Sequence, residues 1–290
     1  MKQGIRPGTV LKVVGCAATC VFVQGGLIAK TVVTFETFRP GLPSAISADG
    51  SVIVGESGNE AFRWENGTKI GLGKYNMDDH SSIAWDISDD GTVVVGTSKN
   101  SHTYENSTIL WRNGAMENIG AIPFSRSISG DGRVVVGGLG HVWEDGSITQ
   151  LQGKDVRITD INYDGSVMVG CFGTGMNNRA AKWTNGQAIY LGELPGHNYS
   201  EAIAVSKDGS MIVGYSDHQA CIWENGTVIP LDDNLQSKAI CISGDGSVVL
   251  GLIIDGIQTS YLTLWYKNQN WSPVDLLDLL VGNGIDLAEI

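Results

Sequence analysis

The sequence predicts an all-β protein, a six-bladed β-propeller of four-stranded repeats that ends in a short C-terminal helical tail. Three observations carry this prediction. A Ser-x-Asp-Gly phrase followed by a β-branched run and a glycine occurs in six variants, and a tryptophan follows each of them. Trp64 and Trp265 stand 201 residues apart over five intervals, a mean of 40.2 residues. The 39 glycines favour a chain that turns often, since glycine adopts positive φ without steric cost.

Each copy reads as four short antiparallel strands. The six copies are AISADGSVIVG (45–55), WDISDDGTVVVG (85–96), RSISGDGRVVVG (126–137), TDINYDGSVMVG (159–170), IAVSKDGSMIVG (203–214) and ICISGDGSVVLG (240–251). The first strand alternates apolar and polar residues, and Asp-Gly supplies a tight hairpin turn into the β-branched run. The tryptophan strand follows, and in five copies Asn-Gly or Asp-Gly then turns the chain into a fourth strand. The glycine that ends each β-branched run predicts close backbone approach.

Six such sheets must stack face to face, because one four-stranded sheet cannot cover two apolar faces. A closed ring protects strand edges that an open stack would expose, which favours a propeller over its main competitor, a β-solenoid. The six tryptophans, Trp64, Trp111, Trp143, Trp183, Trp223 and Trp265, are then expected to fill the spaces between blades. An exposed belt that stacks on a ligand is the alternative.

The charge balance argues against nucleic acid as a partner. The formal net charge is −12, and residues 31–290 hold 15 basic and 31 acidic side chains. Such a surface repels phosphate backbones, whereas nucleic-acid binding needs a basic patch.

The first 30 residues predict an exported protein. They contain four basic residues, no acid, and the mildly apolar stretch VVGCAATCVFVQGGLIA (13–29), which has the layout of a secretory signal peptide. An ordinary N-terminal segment and a lipoprotein leader are the alternatives. The stretch is too short and too polar for an integral membrane span. We therefore assign 1–30 to a signal peptide, 31–276 to the propeller and 277–290 to the tail.

No catalytic, cofactor or metal site is predicted. A nucleophile elbow, a phosphate loop and a dinucleotide fingerprint are all missing from the sequence. Its five histidines are scattered, and Cys171, Cys221 and Cys241 are expected to be small buried side chains. The acidic doublets 78–79, 89–90 and 232–233 are better explained as turn acids than as calcium ligands or a glycosidase pair.

The phrases EAFRWENG (60–67) and LGELPGHNYSEAIAVSKDGSMIVGYS (191–216) resemble the units of HAF-type bacterial extracellular repeat proteins. The likeness covers roughly residues 31–276. It departs from the family pattern at Glu60, which stands where the family has its histidine. The resemblance implies a surface or autotransporter-passenger-like protein and implies no catalytic residues.

Two functional classes follow from the sequence. The leading hypothesis is a secreted or surface-exposed binding module, not an enzyme, whose irregular loops at 74–83, 97–107, 172–179 and 252–262 contact a protein or glycan of a host or cell envelope. Periplasmic residence is the alternative location. The alternative functions are a glycan-acting hydrolase, with Asp78, Asp79 and Glu201 near the ring mouth, and a purely structural passenger repeat.

Ring closure is expected to involve an additional strand. TVVTFETF (31–38) precedes the first copy, and we expect it to pair with the blade of Trp265. The segment 271–276 would then be displaced outward or would lead into a closing helix with a stripe at Leu276, Leu277 and Leu280.

Overall fold

A computed structural model describes residues 41–100, 106–125, 127–153, 155–233, 236–254 and 260–282. These residues form six separate four-stranded antiparallel sheets, each with its strands paired in chain order. The sheets are the blades of a β-propeller, which confirms the predicted fold class. The leader at 1–30 and the additional strand at 31–38 lie outside the described residues.

The blades are numbered in chain order. Blade 1 contains β1 Leu42–Ile46, β2 Val52–Ser57, β3 Glu60–Glu65 and β4 Thr68–Gly73, and blade 2 contains β5 Asp79–Ile87, β6 Val93–Asn100, β7 Asn106–Arg112 and β8 Ala115–Asn118. Blade 3 contains β9 Ser127–Ile128, β10 Val134–Val136, β11 His141–Glu144 and β12 Ser147–Gln150, and blade 4 contains β13 Val156–Ile161, β14 Val167–Phe172, β15 Arg179–Thr184 and β16 Gln187–Tyr190. Blade 5 contains β17 Ser200–Val205, β18 Met211–Ser216, β19 Gln219–Glu224 and β20 Thr227–Pro230, and blade 6 contains β21 Ser237–Ile242, β22 Val248–Ile254, β23 Ser260–Tyr266 and β24 Pro273–Asp275. Short 3₁₀ turns span Gly175–Asn177 and Lys267–Gln269, and the helix α1 spans Leu276–Gly282.

Strand order gives the ring two unlike faces. The hairpins between the first and second strands and between the third and fourth strands all lie at one end, here called the turn face. The loops between the second and third strands, and the links from one blade to the next, lie at the other end, here called the loop face. The loops that the sequence singled out as irregular therefore all reach the loop face, although parts of them, such as 79–83 and 97–100, are strand.

The Ser-x-Asp-Gly turn is held by a repeated set of hydrogen bonds. In blade 5, Ser206 Oγ donates to Asp208 Oδ1 at 2.7 Å, and the same carboxylate accepts from the Ser210 amide at 3.0 Å. The Met211 amide donates to Ser206 Oγ at 3.0 Å, and Gly209 takes φ 75°. The same side-chain pair recurs at Ser47–Asp49, Ser88–Asp90, Ser129–Asp131 and Ser243–Asp245, with Asn162 in place of serine beside Asp164.

The glycine that ends the β-branched run is required by close strand approach, as predicted. A Cβ atom added to Gly214 would collide with the backbone carbonyl oxygen of Glu201 on the neighbouring strand. Glycines 55, 96, 170 and 251 meet the same carbonyl in their own blades. This crowding coincides with a β-bulge in the innermost strand of each of these five blades.

The tryptophans fill the junctions between blades. Trp111 packs against Val52, Val54 and Ala61 of the preceding blade, and Trp265 packs likewise on blade 5. Equivalent clusters contain Trp143, Trp183 and Trp223. These five indoles are at most 5% exposed, whereas Trp64 of the first blade is half-buried. The predicted packing role is thus confirmed for five of the six.

Backbone hydrogen bonds join successive blades at the turn face. They run from Ala48 N to Asp89 O, Asp89 N to Gly130 O, Asp131 N to Tyr163 O, Tyr163 N to Lys207 O, and Lys207 N to Gly244 O. At the same end, Lys207 Nζ lies 3.1 Å from Asp89 Oδ2 and 4.0 Å from the centre of the Tyr163 ring. Blades 2 and 5 face each other across a six-bladed ring, so these side chains occupy the axis at the turn face.

The expected outward displacement of residues 271–276 is wrong, whereas their continuation into a closing helix is observed. Pro273–Asp275 pairs with β23 as the fourth strand of its own blade, with Leu264 opposite Val274. Three residues are enough to form the fourth strand that the other five blades also have, so this segment stays in the sheet.

The predicted C-terminal helix is present as α1. Leu276 and Leu280 pack on Val248, Leu250 and Leu264 of blade 6, while Leu277 is half-exposed instead of joining the stripe. In the other five blades, the equivalent face packs against the next blade along the chain. In blade 6, the helix α1 covers this face. Among the described residues no helix is long and apolar enough to cross a membrane.

Candidate binding site at the loop face

Each blade has an equivalent position in or just before the loop-face half of its innermost strand, and these six positions are here called the mouth. This position lies five residues before the Ser or Asn that opens each Ser-x-Asp-Gly turn. In chain order its occupants are Leu42, Ile83, Phe124, Arg157, Glu201 and Lys238. Blades 1–3 therefore give the mouth an apolar half and blades 4–6 give it a charged half.

In the charged half, Arg157 and Glu201 form an ion pair between blades 4 and 5. The Arg157 guanidinium lies 2.7 Å from Glu201 Oε2 and also donates to Cys171 Sγ at 3.3 Å. Glu201 is buried, but the side chain of Arg157 is 50% exposed. The pair therefore leaves part of the guanidinium open to a ligand.

Glu201 has two further donors besides Arg157. The Tyr215 hydroxyl donates at 2.6 Å and the Asn178 amide donates at 3.3 Å, both to Oε2. Partial burial, followed by the hydrogen bond and charge of Glu201, raises the pKa of Tyr215 well above its ordinary value. Tyr215 is thus a neutral phenol at physiological pH and Glu201 is an acceptor with three donors. This arrangement holds the carboxylate in place and differs from a free general acid or base.

Lys238 and two more aromatic rings extend this cluster. Lys238 Nζ lies 4.6 Å from the centre of the Tyr215 ring, a cation–π geometry. Tyr199 meets Tyr215 edge-on at 6.4 Å and His218 edge-on at 5.7 Å, between ring centres. Tyrosine and arginine side chains of this kind are enriched where proteins bind partners.

Large exposed apolar side chains concentrate on the loop face. Among the described residues, seven lie there: Leu42, Tyr75, Met77, Phe124, Leu139, Met176 and Ile254. Only Tyr163 lies on the turn face, and the others are on outer strands or on α1. Soluble monomers rarely gather exposed apolar groups on one side unless that side binds something.

Two of these residues have a strained backbone. Phe124 takes φ 53° and Leu139 takes φ 60°, the left-handed region that bulky L-residues avoid. They are neighbours in blade 3, since the Phe124 ring lies against Gly138 and the Gly138 amide donates to Phe124 O. Their side chains are 70% and 52% exposed. Strain that holds apolar groups out in solvent is typical of functional sites.

Two of the acids proposed for the hydrolase alternative, Asp79 and Glu201, are held by separate sets of hydrogen bonds, with no shared partner among the described residues. Asp79 belongs to blade 2, where its carboxylate accepts from Ser98 Oγ at 2.6 Å and from the Asn76 amide at 3.1 Å. Burial opposes ionisation, but these hydrogen bonds hold the pKa of Asp79 below its ordinary value. Asp78 precedes it in the same link, and Glu201 lies three blades away.

The remaining candidates are structural. Asp90 accepts hydrogen bonds within its turn, as predicted for the acidic doublets. Cys171 and Cys221 are buried, and Cys241 is half-buried. Burial raises the pKa of Cys171 and of Cys221, which disfavours their reactive thiolate forms. No cluster of metal-ligating side chains occurs in the part of the chain that the structure describes.

Comparison with solved structures shows the propeller fold. The β-propeller domain of the Trilobed protease from Pyrococcus furiosus, described as having an open velcro topology, matches with a TM-score of 0.61 and 13% identity over 89% of each chain. An oligogalacturonate lyase from Vibrio parahaemolyticus matches with a TM-score of 0.55 and 12% identity over 78% of this chain and 77% of that one. No protein-family model matches the chain, and the search of curated proteins found no match.

Sequence reasoning missed the mouth, apart from Glu201. The repeat pattern is defined by positions at which the copies agree, whereas the mouth is formed by a position at which they differ. Aligning the six copies on their turn serine would have shown three apolar residues followed by Arg, Glu and Lys. The sequence does not show that Phe124 and Leu139 are exposed, because apolar residues in predicted loops often pack into the core.

Proposed function

We propose that this chain is a secreted or surface-exposed bacterial binding module, not an enzyme, and that its loop face binds a protein partner. The observation that carries the proposal is the concentration of exposed apolar residues on the loop face, seven against one on the turn face. Methionine and aromatic side chains are the types that protein interfaces favour.

The geometry of the axis supports the same face. Asp89, Tyr163 and Lys207 occupy the axis at the turn face, so a ligand that approached along the axis from that side would meet these side chains. The basic, acid-free start of the sequence and its resemblance to HAF-type extracellular repeats support export.

Site-specific photo-crosslinking in producing cells tests the binding face. A photoreactive phenylalanine analogue placed at Met77 or at Phe124 is expected to give a discrete cross-linked partner band. The same analogue at Ile70 or at Ile148, exposed positions on outer strands, serves as the matched control. Equal cross-linking from both sets, or none from the loop face, would contradict the proposal.

Export has its own test. Mass spectrometry of protein recovered from the medium or envelope is expected to show a chain that begins near residue 26 or 30. Exported material that still begins at Met1 would contradict the proposed leader.

A further inference from the structure

The charged half of the mouth contains a cation whose charge is not balanced by an ion pair. Within the described ranges, the carboxylate of Glu201 pairs with Arg157, and no ion pair includes Lys238. Lys238 is exposed and contacts the face of the Tyr215 ring. Arg157, Glu201 and Lys238 together carry one net positive charge, and a further acid near them is Asp217, whose carboxylate accepts from the Tyr199 amide at 3.0 Å.

The positions of these groups suit an incoming carboxylate. Glu201 Oε2 fixes the guanidinium of Arg157 on one side and the hydroxyl of Tyr215 on the other, while the Tyr215 ring contacts Lys238. Two cationic groups are therefore held near one phenol ring before any ligand binds. Groups that are fixed in advance lose less entropy on binding, and guanidinium and ammonium donors form strong hydrogen bonds with carboxylates.

The apolar half of the mouth indicates which other groups a ligand should carry besides the carboxylate. Leu42 and Phe124 stand at the equivalent positions of blades 1 and 3, and they are 63% and 70% exposed. A ligand that contacts these positions would meet apolar side chains from blades 1 and 3 and, from blades 4 to 6, one ion pair and the further cation of Lys238. A peptide segment that combines acidic and apolar side chains has this complementarity.

We propose that the mouth binds an acidic, apolar peptide segment of the partner, with Lys238 and the exposed part of Arg157 contacting a carboxylate of that segment. This inference rests on the proposed function and adds the chemistry of the partner. Lys238 is the better residue to test, since Arg157 also orders Glu201.

The test uses the full chain and an array of short peptides that combine Glu or Asp with Leu and Phe. Each peptide stands beside a copy in which Gln and Asn replace the acids. We expect the acidic peptides to bind more tightly than their amide copies, although the acidic chain repels them at long range. Lys238→Met, which keeps the stem over Tyr215, is expected to weaken binding about tenfold. Lys69→Met, the same change on outer strand β4, is the matched control and should bind as wild type.

Several outcomes would overturn the inference. Equal binding of the amide copies, unchanged binding by Lys238→Met, or no bound peptide at all would each do so. Binding of trigalacturonate, a carboxylate-bearing oligosaccharide, without binding of any acidic peptide would assign the mouth to glycans instead. If cross-linking at Phe124 captures a partner while these results are negative, only the inference about the mouth fails. If cross-linking also fails, the proposed function fails with it.

Discussion

At the scale of single residues, the tight Asp-Gly turn is predictable from the sequence, but the role of the serine hydroxyl in that turn is not. Asp-Gly predicted a tight turn, and glycine at positive φ is what the structure shows. The serine belongs to the repeated Ser-x-Asp-Gly phrase, but only the structure shows that the Ser206 hydroxyl joins the Asp208 carboxylate to the Met211 amide. Serine is common in loops of every kind, so its repetition predicts a turn without indicating what the hydroxyl bonds to.

Asp79 provides a prediction for the acid range. Asp79→Asn should lower the free energy of unfolding by about 1–2 kcal/mol at neutral pH, because hydrogen bonds to a buried charged acceptor are lost. The native pKa of Asp79 lies below its ordinary 3.8, so its contribution is present above that value and is lost as pH falls through the native pKa. Urea unfolding of both proteins across the acid range should therefore show the difference shrinking below about pH 4.

The neighbouring residue supplies the control for that experiment. Asp78 is exposed in the same link, and Asp78→Asn should change stability little at any pH. A stability difference for Asp79→Asn that persisted at the lowest pH would contradict the ionic role assigned to its carboxylate.

At the scale of elements, the alternation of apolar and polar residues and the turn signals predict the four strands of the first five blades. They do not predict the last strand of blade 6. The segment WSPVDL (271–276) is expected to leave the sheet because an additional strand at 31–38 is predicted to pair with the blade of Trp265. Pro273 pairs opposite Trp265 on an edge strand, where a missing amide donor is tolerated. The predicted helix begins directly afterwards, at Leu276.

The blade junctions allow a matched pair of substitutions. Trp143→Ala should lower the free energy of unfolding by about 3–5 kcal/mol, the usual cost of truncating a large buried aromatic side chain. Trp64→Ala should cost clearly less, because Trp64 is half-buried while Trp143 is 5% exposed. Denaturant unfolding of both variants checks the order. Equal losses would show that the first blade is packed like the others.

At the scale of the whole molecule, the repeat predicted the ring and the number of blades, but only the structure shows what meets at its two ends. Asp89 and Lys207 are 118 positions apart in sequence, and no local pattern connects them. Their contact depends on the curvature of the three blade junctions between blades 2 and 5. The same is true of the mouth, where residues from six copies come together.

That contact predicts an energetic coupling across the ring. A double-mutant cycle with Asp89→Asn and Lys207→Met should give a coupling of about 0.5 kcal/mol in the free energy of unfolding, as for partly exposed ion pairs. Added salt should reduce it. Strict additivity at low salt would contradict the meeting of blades 2 and 5 at the axis.

The central claim is that the loop face binds a partner, and Phe124→Asn tests it most directly. Asparagine tolerates the left-handed backbone at this position, so the variant should be as stable as wild type or more stable by about 1 kcal/mol. Its affinity for the partner captured by cross-linking should nevertheless fall by about 2 kcal/mol, as for an interface hot spot. Ile70→Asn on outer strand β4 should leave that affinity unchanged. Wild-type affinity in a folded Phe124→Asn protein would contradict the account.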